Sequence, residues 1–201
     1  MSALGDAIAP VDGRVARRQR NIDTVLGVVL ELFAEDAMFP SMEQAANRSG
    51  LSLRSLYRYF ADPGELREAA IRHNREIAAT LAHLHAIGEG PLDERIEAFV
   101  AMRIRLYDGV AAVYRATMAN AMALERVREE RAHNRDLLRE QFAVHFAPEL
   151  DALDPERRSA LLDAGDLLTQ LDAIDFLRDH RCLSAGETQR VLGEGLRALL
   201  D

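Results

Sequence analysis

Apolar residues recur at three- and four-residue spacings along almost the whole chain, and neither a long β-branched alternation nor an Asn-Gly or Asp-Gly hairpin interrupts them. That periodicity predicts an all-α protein. Ile22, Val25, Leu26, Val29 and Phe33 form one stripe with Asp23, Glu31 and Glu35 mostly off it, so a first helix is expected over about residues 17–36. After Phe39-Pro40, Ser41-Met42-Glu43-Gln44 has the form of a capping box and opens a second, very short helix, which Gly50 ends in a left-handed conformation. Ser52 caps a third. Leu51 and Leu56 are spaced as a hydrophobic staple around that cap, and Leu53 or Leu56 with Phe60 supplies the core face. Asp62-Pro63-Gly64-Glu65 repeats the cap pattern, with proline at the first helical position, and opens a fourth helix to about residue 87. Beyond Gly88-Glu89-Gly90-Pro91, helices are expected over about residues 92–107, 110–124, 125–146, 155–180 and 185–200. The last is opened by Ser184-Ala185-Gly186-Glu187, and the total is about nine. Two domains follow from this punctuation, residues 14–61 and residues 62–201.

Composition narrows the class. With 48% hydrophobic residues the chain is too rich in core formers to be disordered, and no apolar run approaches the roughly 18 residues of a membrane span. Residues 1–10 lack the cationic stretch and apolar block of a signal peptide, so a cytoplasmic location is expected. Cys182 is the lone cysteine, which excludes an intramolecular disulfide and a cysteine-based zinc site; it is expected to be a small buried hydrophobe. All 25 basic residues are arginine, so every side-chain ammonium is replaced by a planar fork suited to phosphates, carboxylates and base edges. The net charge of −8 argues at first against nucleic acid. It is unevenly placed, however: residues 14–60 carry seven arginines against five acids, while residues 81–201 carry 15 against 22.

Two short capped helices joined by a glycine turn, preceded and followed by longer ones, form a helix-turn-helix arrangement whose second helix is free to enter a major groove. The third helix has the surface for it. Ser52, Arg54, Ser55, Tyr57, Arg58 and Tyr59 surround a helix that needs few apolar residues for its buried side. Hydroxyls and guanidinium groups suit phosphate oxygens, and arginine also grips guanine O6 and N7.

At Ser49-Gly50-Leu51-Ser52-Leu53-Arg54-Ser55-Leu56-Tyr57-Arg58-Tyr59-Phe60 the chain resembles the turn and recognition helix of the tetracycline-repressor (TetR) family, and the likeness extends from Phe33-Ala34 to Leu66. The remainder is similar in layout only. The resemblance implies a homodimer that binds a roughly palindromic operator in double-stranded DNA and is released by a small-molecule effector of unknown identity, most simply as a repressor. It makes Ser52, Leu53 and Arg54 candidates for base or backbone contact. Ser55, Tyr57, Arg58 and Tyr59 would contact phosphates, with Tyr57 and Arg58 also within reach of bases, and Ser41 and Gln44 would touch backbone. Leu56 and Phe60 are core. An ordinary aromatic core cluster is the plain alternative for the two tyrosines, but the motif points Tyr57 outward. Arg14, Arg17, Arg18 and Arg20 are either a solvated start or reach phosphates or the minor groove, and Arg17 and Arg18 are counted with the DNA contacts. Two departures stand out. Pro63 replaces the lysine that usually opens the fourth helix, leaving backbone N–H groups there as the remaining phosphate donors. Ala45 occupies a place usually taken by a larger aliphatic residue.

In the larger domain, Met102, Arg103, Tyr107, Tyr114, Met118, Met122, Gln141, Thr169 and Gln170 mix adaptable and polar groups as a pocket for a mostly apolar ligand would, although the methionines equally fill core gaps. Arg103 or Arg115 would meet an anionic ligand or pair with one of the many carboxylates. Leu167, Leu171, Ile174, Leu192, Gly195, Leu196 and Leu199 offer more apolar face than one side of a peripheral helix needs, so a two-fold four-helix interface is expected there, setting the recognition helices roughly 34–36 Å apart. A helical-bundle enzyme or metal carrier is the rival. It has little to stand on: Glu130 and His133 make a single Glu-x-x-His pair where a di-iron bundle needs two, and no G-x-S-x-G elbow occurs, so no catalytic residue, metal or cofactor is expected.

Overall fold

The computed structural model describes residues 13–120 and 125–201, and among them the secondary structure is helical throughout. The described residues form ten α-helices and one π turn, where about nine helices were expected. The chain divides into two compact units between His73 and Asn74.

In the first unit, α1 (Gly13–Asp36) buries Val25, Leu26, Val29 and Phe33 of the expected stripe together with Leu30 and Leu32, while Ile22 is half-buried. It ends where Ala37 turns left-handed at φ 54°. Helix α2 (Met42–Ser49) opens on a complete capping box: the Gln44 amide N–H donates to Ser41 Oγ at 3.2 Å, and the Ser41 N–H donates to Gln44 Oε1 at 2.9 Å. Gly50 closes it at φ 71°, a conformation glycine adopts without the Cβ penalty, and the Leu51 N–H returns to the Ala46 carbonyl. Helix α3 (Leu53–Tyr59) is capped by Ser52 and buries Leu56, with Phe60 buried just beyond it. Helix α4 (Pro63–Leu81) begins in this unit and buries Leu66, Ala69 and Ala70 there, which moves the division into the helix and away from its start.

The second unit holds the rest of α4 with α5 (Leu92–Asn120), α6 (Glu125–His145), α7 (Ala147–Leu150), α8 (Pro155–Thr169), α9 (Leu171–Asp175), a π turn at Phe176–His180 and α10 (Ala185–Leu200). Its core centres on Phe99, Phe142 and Phe146, whose ring centroids lie 4.8–5.7 Å apart, packed with Ile96, Met102, Ile174, Leu192 and Leu196. Each such fully buried side chain contributes about 1.5–3 kcal/mol.

Several boundaries differ from expectation for identifiable reasons. Helix α4 stops at Leu81, not near residue 87, because side chains take over its last carbonyls: Arg105 donates to Leu81 O and His83 O, each at 3.1 Å, and Gln141 donates to Ala82 O at 2.7 Å. The break expected near Gly109 does not exist; α5 runs through it. A Cβ at Gly109 would lie 2.3 Å from Leu81 Cδ1, so this glycine serves close packing. The single helix expected over residues 155–180 is divided at Gln170, whose backbone is extended while its side chain donates to Asp166 Oδ1 at 2.5 Å and to Arg135 O at 3.3 Å. Cys182 is exposed, at φ 54°, and is not the buried hydrophobe expected.

Candidate nucleic-acid interface and ligand cavity

Helix α3 is short enough that its one fully buried side chain, Leu56, fixes the direction of every other. Tyr57 is 49% exposed, and Arg54 and Arg58 also face solvent. Leu53 and Ser55 are half-buried, while Ser52, Ser41 and Gln44 are exposed with their polar atoms already committed to the caps. Tyr59 is different. Its hydroxyl accepts from Asn21 Nδ2 at 3.2 Å and from Arg58 Nη2 at 3.3 Å, and the guanidinium groups of Arg18 and Arg58 lie over its ring at 5.5 and 5.2 Å. These hydrogen bonds, Asn21 first, hold the phenol below its usual range. Tyr59 thus ties α3 to α1. Arg17 is exposed on α1 beside Arg18. Asn21 escaped the sequence reading because it belongs to neither the apolar stripe nor the motif.

At the start of α4 the cap is filled by the chain's own acids. The Glu65 N–H donates to Asp62 Oδ1 at 2.9 Å, and Glu65 Oε2 accepts from the Ala61 N–H at 2.6 Å. A phosphate there would meet two carboxylates, which corrects the expectation that this N-terminus offers free donors in place of the missing lysine.

The second unit contains a cavity of about 540 Å³, walled by the end of α4, by α5 and α6, and by the α8–α9 junction. Tyr114, Met118, Gln141 and Gln170 line it as expected. Four of the expected residues lie elsewhere. Met102 is fully buried in the core. Arg103 is buried with its guanidinium 4.5 Å from the Phe99 ring centroid, donating to Gln141 Oε1 and Leu138 O at 2.7 Å each; burial pushes it below the usual arginine range, against the pull of Asp166. The Tyr107 hydroxyl donates to Asp175 Oδ1 at 2.7 Å and is pushed up to about 12 by burial and by that bond. Thr169 Oγ1 donates to Gly165 O at 2.8 Å. Met122 lies outside the described residues. Periodicity shows that such residues face inward but not whether they meet a neighbour or a void.

The wall also contains residues the sequence reading missed: Asn74, Arg75 and Ala78 of α4, Arg131 and Arg135 of α6, and Asp172 of α9. Asp172 accepts from Arg135 at 2.6 Å, from Arg131 at 3.5 Å, and from the Tyr114 hydroxyl. Burial alone would raise this carboxyl, but the bonds from Arg135 and Tyr114 and the two positive charges outweigh it and hold it below its usual range. Burial, then Asp172, pushes the Tyr114 phenol well up. Arg75 is engaged by Glu130 through both Nε and Nη2. Glu130 is therefore bound to an arginine, and among the described residues no three His, Cys, Asp or Glu side chains cluster as metal ligands. No helix of the described residues is long and apolar enough to cross a membrane.

The expected dimer residues separate into two groups. Leu167 is 72% exposed, Leu199 is half-buried, and Gly195 permits close approach of α8, since a Cβ there would lie 2.8 Å from Leu168 Cδ2. Ile174, Leu192 and Leu196 are fully buried in the protomer core and Leu171 lines the cavity, which corrects their assignment to an interface. Both faces of α10 carry apolar residues, Leu192 and Leu196 inward and Val191 outward, and spacing alone does not tell them apart.

Of solved structures, a tetR-family transcriptional regulator from Streptomyces coelicolor superposes with a TM-score of 0.68 at 22% identity, over 90% of this chain and 80% of its own. The chain has the TetR-family fold. A Pseudomonas aeruginosa PAO1 protein assigned as a transcriptional regulator shares that fold, with a TM-score of 0.64 at 13% identity over 95% of this chain and 93% of its own. The HTH-type transcriptional regulator BetI of Escherichia coli is 34% identical over 86 residues, 42% of this chain. The match thus spans less than half, 43%, of the curated relative's length. No protein-family model matches the sequence.

Proposed function

We propose that this protein is a DNA-binding transcriptional regulator of the TetR type, working as a homodimer on a roughly palindromic operator and released from it by a small molecule held in the second unit's cavity. The observation that carries the reading is α3 itself: a Ser-capped helix after a left-handed glycine turn, anchored by Leu56 and presenting Tyr57, Arg54 and Arg58 to solvent. Such a helix fits the major groove, with its arginines on phosphates or guanine edges. The BetI and Streptomyces likenesses support the same class. The mildly basic residues 14–60 supply the electrostatics, and the acidity of the whole resides in the other unit.

One element supports a reading of repression with effector release. Helix α4 is continuous, burying Leu66 and Ala70 in the first unit and lining the cavity with Asn74, Arg75, Ala78 and Ala79. A ligand that shifts its second half disturbs its first, and effector and operator then weaken one another reciprocally. The test is a gel-shift titration of the purified protein on the DNA flanking its own gene. Saturable, sequence-dependent binding is expected, and binding no tighter than to a scrambled duplex would overturn the proposal.

A further inference from the structure

The ionic groups of the cavity wall do not balance. Among the described lining residues Asp172 is the only carboxylate, against three arginines. Arg75 is held by Glu130, which lies outside the lining. Arg131 and Arg135, one helical turn apart on α6, are left to share Asp172. Two like charges at this spacing repel, and one carboxylate neutralises only one of them. Arg131 keeps a buried Nε without a hydrogen-bond partner. Arg131 and Arg135 together therefore carry one positive charge more than Asp172 supplies, beside an apolar surface of Ala78, Leu106, Val110, Leu138 and Leu171.

We propose that the effector is a monoanion with an otherwise apolar body, its carboxylate or comparable anionic group taken by Arg131 and Arg135 and its body laid against the α4–α5 wall. This rests on reading the cavity as the effector site. A single negative charge brings the site to neutrality, and charge-assisted bonds to guanidinium groups are about twice as strong as neutral ones. A cationic ligand finds no vacancy, because Asp172 already accepts from Arg135, Arg131 and Tyr114. The volume lies within the roughly 300–1,000 Å³ of small-molecule sites.

The test uses two dyes with the same ring system, 8-anilinonaphthalene-1-sulfonate and the uncharged N-phenyl-1-naphthylamine, titrated by fluorescence into the full chain. The sulfonate dye is expected to bind at least tenfold more tightly. Arg131→Gln and Arg135→Gln should each weaken it about tenfold and change the neutral dye less than twofold. Asp172→Asn, which frees both arginines, should instead strengthen sulfonate binding severalfold, an outcome that misfolding does not produce. Ala78→Trp should exclude both dyes. Equal affinity for the two dyes, weakening by Asp172→Asn, or sulfonate binding that survives Ala78→Trp would each overturn the assignment. A protein that takes the sulfonate dye here but ignores DNA defeats the regulator reading alone; one that binds its operator yet prefers the neutral dye defeats only this inference.

Discussion

The ring of Phe142 lies directly against the backbone of Gly165, so closely that a Cβ at Gly165 would sit 2.0 Å from Phe142 Cζ. This glycine lets α8 approach α6 over the aromatic core. Gly165→Ala, though favourable for helix propensity, is expected to lower stability by about 1–3 kcal/mol through overpacking, read as a fall in the thermal midpoint. Phe142→Leu in the same chain should recover part of that loss, because two residues in contact do not add independently.

Stability should fall as the solution is acidified, in two stages. His145 is buried between Arg95, Glu149, Phe99 and Phe146; its Nδ1 accepts from the Gly88 N–H, and its Nε2–H donates to Arg95 O. Burial lowers its pKa from 6.5, so on acidification the unfolded chain binds the proton first and stability drops below pH 6.5. Glu149, held by Arg95, is likewise lowered from 4.5, and its contribution is lost further down as it is protonated. Melts between pH 7 and 5 should show a slope no steeper than about 1.4 kcal/mol per pH unit from His145, and His145→Gln should flatten it.

On DNA, Tyr57→Ala and Arg58→Ala should each weaken operator binding about tenfold or more without loss of helicity, both side chains being exposed. Arg58→Ala should also reduce the slope of log affinity against log salt by about 1, as loss of a phosphate contact does. Asn21→Ala should act differently, loosening the tie to the Tyr59 hydroxyl and reducing thermal stability as well as binding. Parent-like binding by both Tyr57→Ala and Arg58→Ala would remove α3 from the interface.

If the homodimer uses the last helices, its contacts must come from the exposed Leu167, Phe176 and Val191, because Ile174, Leu192 and Leu196 are committed to the protomer core. Leu167→Arg combined with Val191→Asp should yield a helical monomer by light scattering. Leu192→Asp should instead unfold the unit. A dimer that survives the first pair would place the interface elsewhere.

The capped, short elements were the most legible. Ser41, Gln44, Gly50 and Ser52 act within four residues of their partners, so local chemistry decides them. The cavity was hardest to read. Arg131, Arg135 and Asp172 meet across 37 residues or more of chain, a separation at which local spacing carries no sign of the contact. Arg103 shows the converse: an arginine expected in a pocket is held in the core by Gln141, Leu138 and Phe99. Glycine was ambiguous for the same reason, since Gly109 and Gly165 sit inside helices for the sake of a distant Leu81 and Phe142.

Cys182 is the sole thiol and stands in solvent after the π turn, in a chain without lysine. A nitroxide or fluorophore attached through maleimide chemistry therefore lands on one atom per protomer without engineering. In a homodimer the pair of labels becomes a ruler, and its reading with and without operator reports directly whether the two copies move apart.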